Sequence, residues 1–178
     1  MTILEKTSSI AHTAVQSVFD KEKINYIEAG ALYGIVLQGR HNVAVLSTLY
    51  NHAKDPELKT LIKESIDNLT ETTIKQCEDL LKAGGAELPS TRFPIRALED
   101  HVDIPVSARL SDEENAIYVA NIAKGAQLAI LNSLHNCYQP EIAQTLKGIL
   151  DDSMDWNYRL LQLMLNRGWL PHMAKVHH

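Results

Sequence analysis

Eight histidines, two cysteines and 22 acidic residues equip this 178-residue chain for metal or nucleophile chemistry, so their spacing decides what they can do. Two metals held inside a helical bundle need carboxylates from two helices and Glu-x-x-His from the other two. No Glu-x-x-His occurs in the chain. His-x-x-x-His, which sets two imidazoles on one helical face for zinc, is also missing. These absences argue against a di-iron or helical zinc centre. What remains for a metal is a weak pairing of His41 with Asp151, Asp152 or Asp155. The acidic run Asp151, Asp152, Asp155 reads more simply as a solvated helix face. His52 and His135 flank hairpin turns, where partial solvation is expected. His172, His177 and His178 close the chain and offer only adventitious binding. Cys77 and Cys137 have no base partner in the sequence pattern, so they read as buried free thiols rather than nucleophiles. The expectation is an absence of catalytic residues, metal and cofactor.

A neutral set lies nearer the helix centres. Asn42, Thr73, Gln127 and Asn157 fall on or beside apolar stripes. Buried amides need hydrogen-bond partners. The simplest role for the four is a polar mid-bundle layer that fixes helix register. The alternative is a pocket for a small ligand. Gly30 and Gly34 fall inside the first long helix, where they are expected to permit close helix approach. Trp156 and Trp169 suit either the core or an interface.

The elements that must position these residues come from a repeat. Residues 33–88 read as a first copy of 118–172, with one residue deleted in the turn. Tyr33/Tyr118, Leu46/Leu131 and Asn51/Asn136 pair before the turn; Pro56/Pro140, Lys63/Lys147, Asp67/Asp151 and Gly84/Gly168 pair after it. On this register Asn42 matches Gln127, and Thr73 matches Asn157. Ala29, Leu32, Val36, Gly39, Val43, Leu46, Tyr50 and Ala53 recur at three- and four-residue steps, the spacing of a bundle seam. Asp55-Pro56 stops one helix and starts the next. Helices are thus predicted over 23–53, 56–83, 111–138 and 140–168, with a short leading helix over 8–20. Ser111-Asp-Glu-Glu114 is a capping box for the third. Residues 84–110 hold Pro89, Pro94 and Pro105 and form a crossover, with one helical turn expected over Ile95–His101.

The fold class expected is all-α. It is a ferritin-like four-helix bundle of two pseudo-symmetric helical hairpins, with a long crossover and a short N-terminal helix. The whole chain, 1–178, forms one domain: hairpin one at 23–88, crossover at 84–110, hairpin two at 111–172. A formal charge of −5 argues against nucleic-acid binding. No apolar stretch is long enough to span a membrane. The N-terminus shows no secretory signal, so cytoplasmic synthesis is expected. Val45, Leu49, Leu160, Leu163 and Leu165 lie outside the main stripes and point to an apolar outer face and a homodimer.

At NVAVLSTLYNHAKDPELK and at the closing LMLNRGWLP the chain resembles an uncharacterised ferritin-like family of spore-forming bacteria related to spore coat protein F. The resemblance spans about residues 23–172 and rests on structural motifs: the repeated hairpin, the Asp-Pro-Glu turn and the Gly-Trp-x-Pro ending. It implies a helical bundle, a place in the spore coat among other coat proteins, and no catalytic residues to carry over. Relatives often hold two bundles in tandem, and the single bundle of this chain leaves room for a homodimer to substitute. The function expected is a non-catalytic coat-associated structural or interaction protein. The alternatives are a ferritin-like metal-binding protein or oxidoreductase, and a small-molecule-binding bundle.

Overall fold

The computed structural model describes residues 23–170. The helix predicted over 8–20 and the tail residues His172, His177 and His178 lie outside the described residues. The described part is all-helical, with no strand among these residues. Helix α1 is Tyr26–His52, α2 is Pro56–Glu64, α3 is Glu71–Ala83, α4 is Asp112–His135 and α5 is Pro140–Arg167. A π-helical turn, Ser65–Thr70, joins α2 to α3, so the two make one rod and the described residues form four. The second rod was expected to be regular over 56–83; the wide turn at its centre is a departure. A helical turn expected over Ile95–His101 is not found; the crossover's one helical turn is Val106–Ala108.

Local chemistry starts and stops each rod. The Asn25 side chain accepts from the amides of Ile27 and Glu28, both at 2.9 Å. Asp55 does the same for Glu57 and Leu58 ahead of Pro56. Ser111 and Glu114 close a reciprocal capping box on α4. Gly168 ends α5 in the left-handed region, φ 71°, where glycine carries no Cβ penalty.

Contacts between rod ends set the directions. Asp112, at the start of α4, accepts from the amides of Lys54 and Asp55, at the end of α1. Glu28, at the start of α1, accepts from the amides of Tyr138 and Gln139, both at 2.7 Å, just past the end of α4. Helices α1 and α4 are therefore antiparallel. Arg167 at the end of α5 pairs with Asp55 and Glu57 at the start of α2, so the second rod and α5 are antiparallel too. The second rod and α4 then run the same way, and residues 84–110 must return along the bundle.

That return path is fastened to one face of α1. Arg40 donates to the carbonyls of Pro89 and Thr91 and pairs with Glu78 at 2.8 Å. The Ser47 hydroxyl accepts from the Arg96 amide at 3.2 Å. Asn51 donates to the Ala97 carbonyl and accepts from the Glu99 amide, each at 2.9 Å. Arg40, Ser47 and Asn51 are spaced seven and four apart, so they share a helical face. Buried backbone in a loop needs such partners.

The core follows the predicted seam of α1, where Leu32, Val36, Val43, Leu46, Tyr50 and Ala53 are all buried. Gly39 is the close-approach glycine: a Cβ there would meet Ile74 at 2.7 Å. Gly30 and Gly34, expected in that role, have nothing within 4 Å. Leu160 and Leu163 of α5 and Leu49 of α1, read from the sequence as lying outside the main stripes, are core, whereas Met154 and Leu161 of α5 face solvent. The cause is Trp156, which is 1% exposed and donates its indole N–H to the Leu61 carbonyl at 3.0 Å. The largest apolar side chain of the helix, with a donor to satisfy, sets the face that turns inward.

Candidate functional site

At mid-height the four rods enclose a cavity of about 90 Å³. Its position follows from two local sequences. On α4, Ala123, Ala126 and Ala129 line the wall and leave volume where larger residues would fill it. Opposite, the second rod widens into the π-helical turn, whose ladder includes a Glu71 amide to Ile66 carbonyl bond one residue longer than the α-helical step. Ser65, Asn68, Leu69 and Thr70 of that turn line the cavity, with Asn42 of α1, Thr73 of α3, and Asp152 and Ser153 of α5.

The predicted polar layer divides here. Asn42 and Thr73 line the cavity. Gln127 is buried and donates to the Ser153 carbonyl at 2.9 Å. Asn157 is half-buried and is not among the lining residues. No hydrogen bond joins two of the four, so each is fixed by its own surroundings and not by a shared ladder. Asn42 is 8% exposed and its amide has no partner among the described residues. The same holds for the hydroxyl of Ser65, also 8% exposed. The reading from sequence missed Ser65. Its signal was the register: Ser65 stands where the second copy has Ile149, a hydroxyl in place of a core isoleucine.

The other candidates are dispersed. His41 is exposed, and its ring meets Phe93 of the crossover edge-on, centroids 5.1 Å apart. Asp155 is exposed on α5, in the field of Arg159. Asp151 pairs with Lys147 on the surface, and Lys63 and Asp67 form the register-equivalent pair at 2.6 Å. His52 is half-buried and accepts from the Leu110 amide through Nδ1; His135 is exposed. Among the described residues, no three His, Cys, Asp or Glu gather where they could hold a metal.

The thiols are chemically quiet. Cys77 is fully buried, and loss of solvent pushes its thiol up to about 12. Burial raises Cys137 too, helped by the nearby Glu28 carboxylate. A thiolate is the nucleophile, so neither cysteine is activated. Tyr50 is raised by burial and by its hydrogen bond to Asp100 at 2.9 Å, with Lys59 lying 4.5 Å over the ring. That cluster holds the crossover against α1.

The fold is that of an all-helical bundle of four rods around a mixed core. It matches the crystal structure of a putative spore coat protein of Bacillus halodurans with a TM-score of 0.81 at 23% identity, over 88% of this chain and 98% of that one. It also matches a conserved hypothetical protein of Mycobacterium tuberculosis with a TM-score of 0.57 at 12% identity, over 79% of this chain and 99% of that one. The chain belongs to the DUF3231 family, described as proteins of unknown function, whose family model matches residues 14–176. It is 29% identical over 160 residues to the uncharacterised protein YvdQ of Bacillus subtilis, covering 88% of this chain and 93% of that protein. No helix among the described residues is long and apolar enough to cross a membrane.

Proposed function

We propose that the chain is a spore-coat-associated protein that works by association and not by catalysis. The observation that carries this reading is the likeness, over 88% of the chain, to the Bacillus halodurans structure named for the spore coat. The sequence supports it by lacking the Glu-x-x-His spacing of a di-metal bundle, and the quiet Cys77 thiol supports it by offering no nucleophile. The architecture is read as two pseudo-symmetric hairpins in ferritin-like order. In support, Lys63–Asp67 and Lys147–Asp151 form at matching positions, and each hairpin turn is capped by an acid from the other hairpin.

The surface for association lies on α5. Met154, Tyr158, Leu161 and Leu165 step by four, three and four residues along its outer face, and all are exposed. This is a coiled-coil seam left in solvent, the kind of stripe a second copy covers. The chain is thus read as a homodimer that docks with other coat proteins. Sedimentation should give a dimer at micromolar concentration, and Leu161→Glu with Leu165→Glu should give a monomer. A tagged copy expressed in a sporulating Bacillus should be recovered with the extracted coat layer. Recovery only from the soluble cytoplasm would overturn the coat assignment.

A further inference from the structure

We propose that the mid-bundle cavity is a binding site for a small organic molecule with a short apolar body and an uncharged or cationic hydrogen-bonding head. The register of the two hairpins shows how the site is built. In hairpin two, Gln127 donates to the Ser153 carbonyl across a regular stretch of α5. The corresponding pair in hairpin one is Asn42 and Leu69. Leu69 lies in the π-helical turn, and no hydrogen bond joins it to Asn42. One copy of the repeat thus closes its polar contact; the other widens, frees the amide and opens the cavity. A π-helical turn inside an otherwise regular rod often marks a functional site. Buried polar side chains are normally satisfied. Asn42 and Ser65 are both more than nine-tenths buried, both line the cavity, and neither side chain has a hydrogen-bond partner among the described residues.

The lining specifies the ligand's chemistry. Ile35, Leu46, Ala126, Ile130 and Ile149 form apolar wall. Asn68, Thr72, Gln76 and Asp152 also line the cavity and are exposed, so its mouth opens between the second rod and α5. Asp152 puts a negative charge at that mouth, and no lysine, arginine or histidine is among the described lining residues. A carboxylate ligand would meet repulsion from Asp152, with no basic side chain among the described lining residues to offset it. Asn42 and Ser65 together both donate and accept, which suits a hydroxyl, an amide or an ammonium. A cavity of about 150 Å³ holds benzene, so the enclosed 90 Å³ takes about four heavy atoms, with room for more at the mouth. So few atoms limit affinity to tens of micromolar at best.

The test is a titration of the full chain with 1-propanol, propylamine and propionate, followed by NMR. The alcohol and the amine should shift the Asn42 side-chain amide and the Ala126 methyl saturably, and propionate should not. Ala126→Leu, which fills the cavity, should abolish the shift of the Asn42 amide while leaving the helical circular dichroism unchanged. Asn42→Leu, which keeps the volume but removes the polar partner, should weaken 1-propanol about threefold to tenfold and serves if Ala126→Leu does not fold. Absence of saturable shifts with all three probes would overturn the site. So would undiminished 1-propanol binding in either folded variant. Propionate binding as tightly as propylamine would overturn the charge assignment.

Discussion

Replacing Glu28 with Ala removes a carboxylate that is 1% exposed and holds the α4–α5 turn from a position 110 residues away in sequence. Its Oε1 accepts from the amides of Tyr138 and Gln139, each at 2.7 Å, and its Oε2 accepts from Asn25 at 2.6 Å. Hydrogen bonds to a charged group are worth about 1.5–3 kcal/mol each, and a buried donor left without a partner costs about 1–3 kcal/mol. The turn is partly exposed, so water replaces some of the loss. We expect Glu28→Ala to cost about 2–4 kcal/mol. For a chain of this length about 1 kcal/mol moves the melting temperature by roughly 2–4 °C, so the fall should be roughly 5–15 °C. Glu28→Gln keeps one acceptor oxygen and should fall between wild type and Ala. The control is Glu113→Ala. Glu113 is the residue that the repeat register aligns with Glu28, but it is exposed and its neighbour Asp112 makes the equivalent turn contacts. Urea unfolding followed by circular dichroism measures all three. A loss below about 0.5 kcal/mol for Glu28→Ala, or an equal loss for Glu113→Ala, would refute the reciprocal clamp.

Asp55 gives the pH dependence. Burial pushes its carboxyl up, but the Arg167 guanidinium and the Leu58 and Glu57 amides together hold it below the ordinary carboxylate range. A depressed folded value means that the contribution is fully present above the unfolded value of about 3.9 and is lost as pH falls through the folded one. Asp55→Asn should therefore flatten the acid limb of the stability curve below about pH 4; an unchanged limb would refute the assignment. Gly39→Ala should destabilise by about 1–3 kcal/mol because its Cβ meets Ile74 at 2.7 Å, whereas Gly30→Ala, with open space around it, should stabilise by about 0.5–1 kcal/mol. Thermal melts that rank the two the other way would show that the close approach is elsewhere. Gln127→Ala should cost about 1–2 kcal/mol by removing a buried hydrogen bond between α4 and α5, and Asn42→Ala should cost almost nothing. Equal losses in denaturant would mean that Asn42 has a partner after all.

Much of the architecture was legible because it is local or periodic. Asp55-Pro56, Ser111 through Glu114 and Gly168 each act within one turn of their own helix, so type and spacing are enough to read the caps. The seam of α1 was equally readable, since three- and four-residue steps of Leu, Val and Ala have one low-energy burial.

Tertiary packing decided the rest. Helix α5 carries apolar residues on two faces, and periodicity cannot choose between Leu161 and Leu160; the Trp156 indole reaching the Leu61 carbonyl did. The π-helical turn also leaves no local signature, because Ser65–Thr70 reads as ordinary amphipathic helix until it meets its neighbours. Glu28 and Asp112 look like first-turn acids serving their own helices. Only the antiparallel stacking of α1 and α4 aims them at the other hairpin's turn. The cavity follows the same logic. A sequence repeat states where two copies agree, whereas a site built on Asn42 and Ser65 depends on one copy departing from the other, and that departure has physical meaning only once four rods surround it.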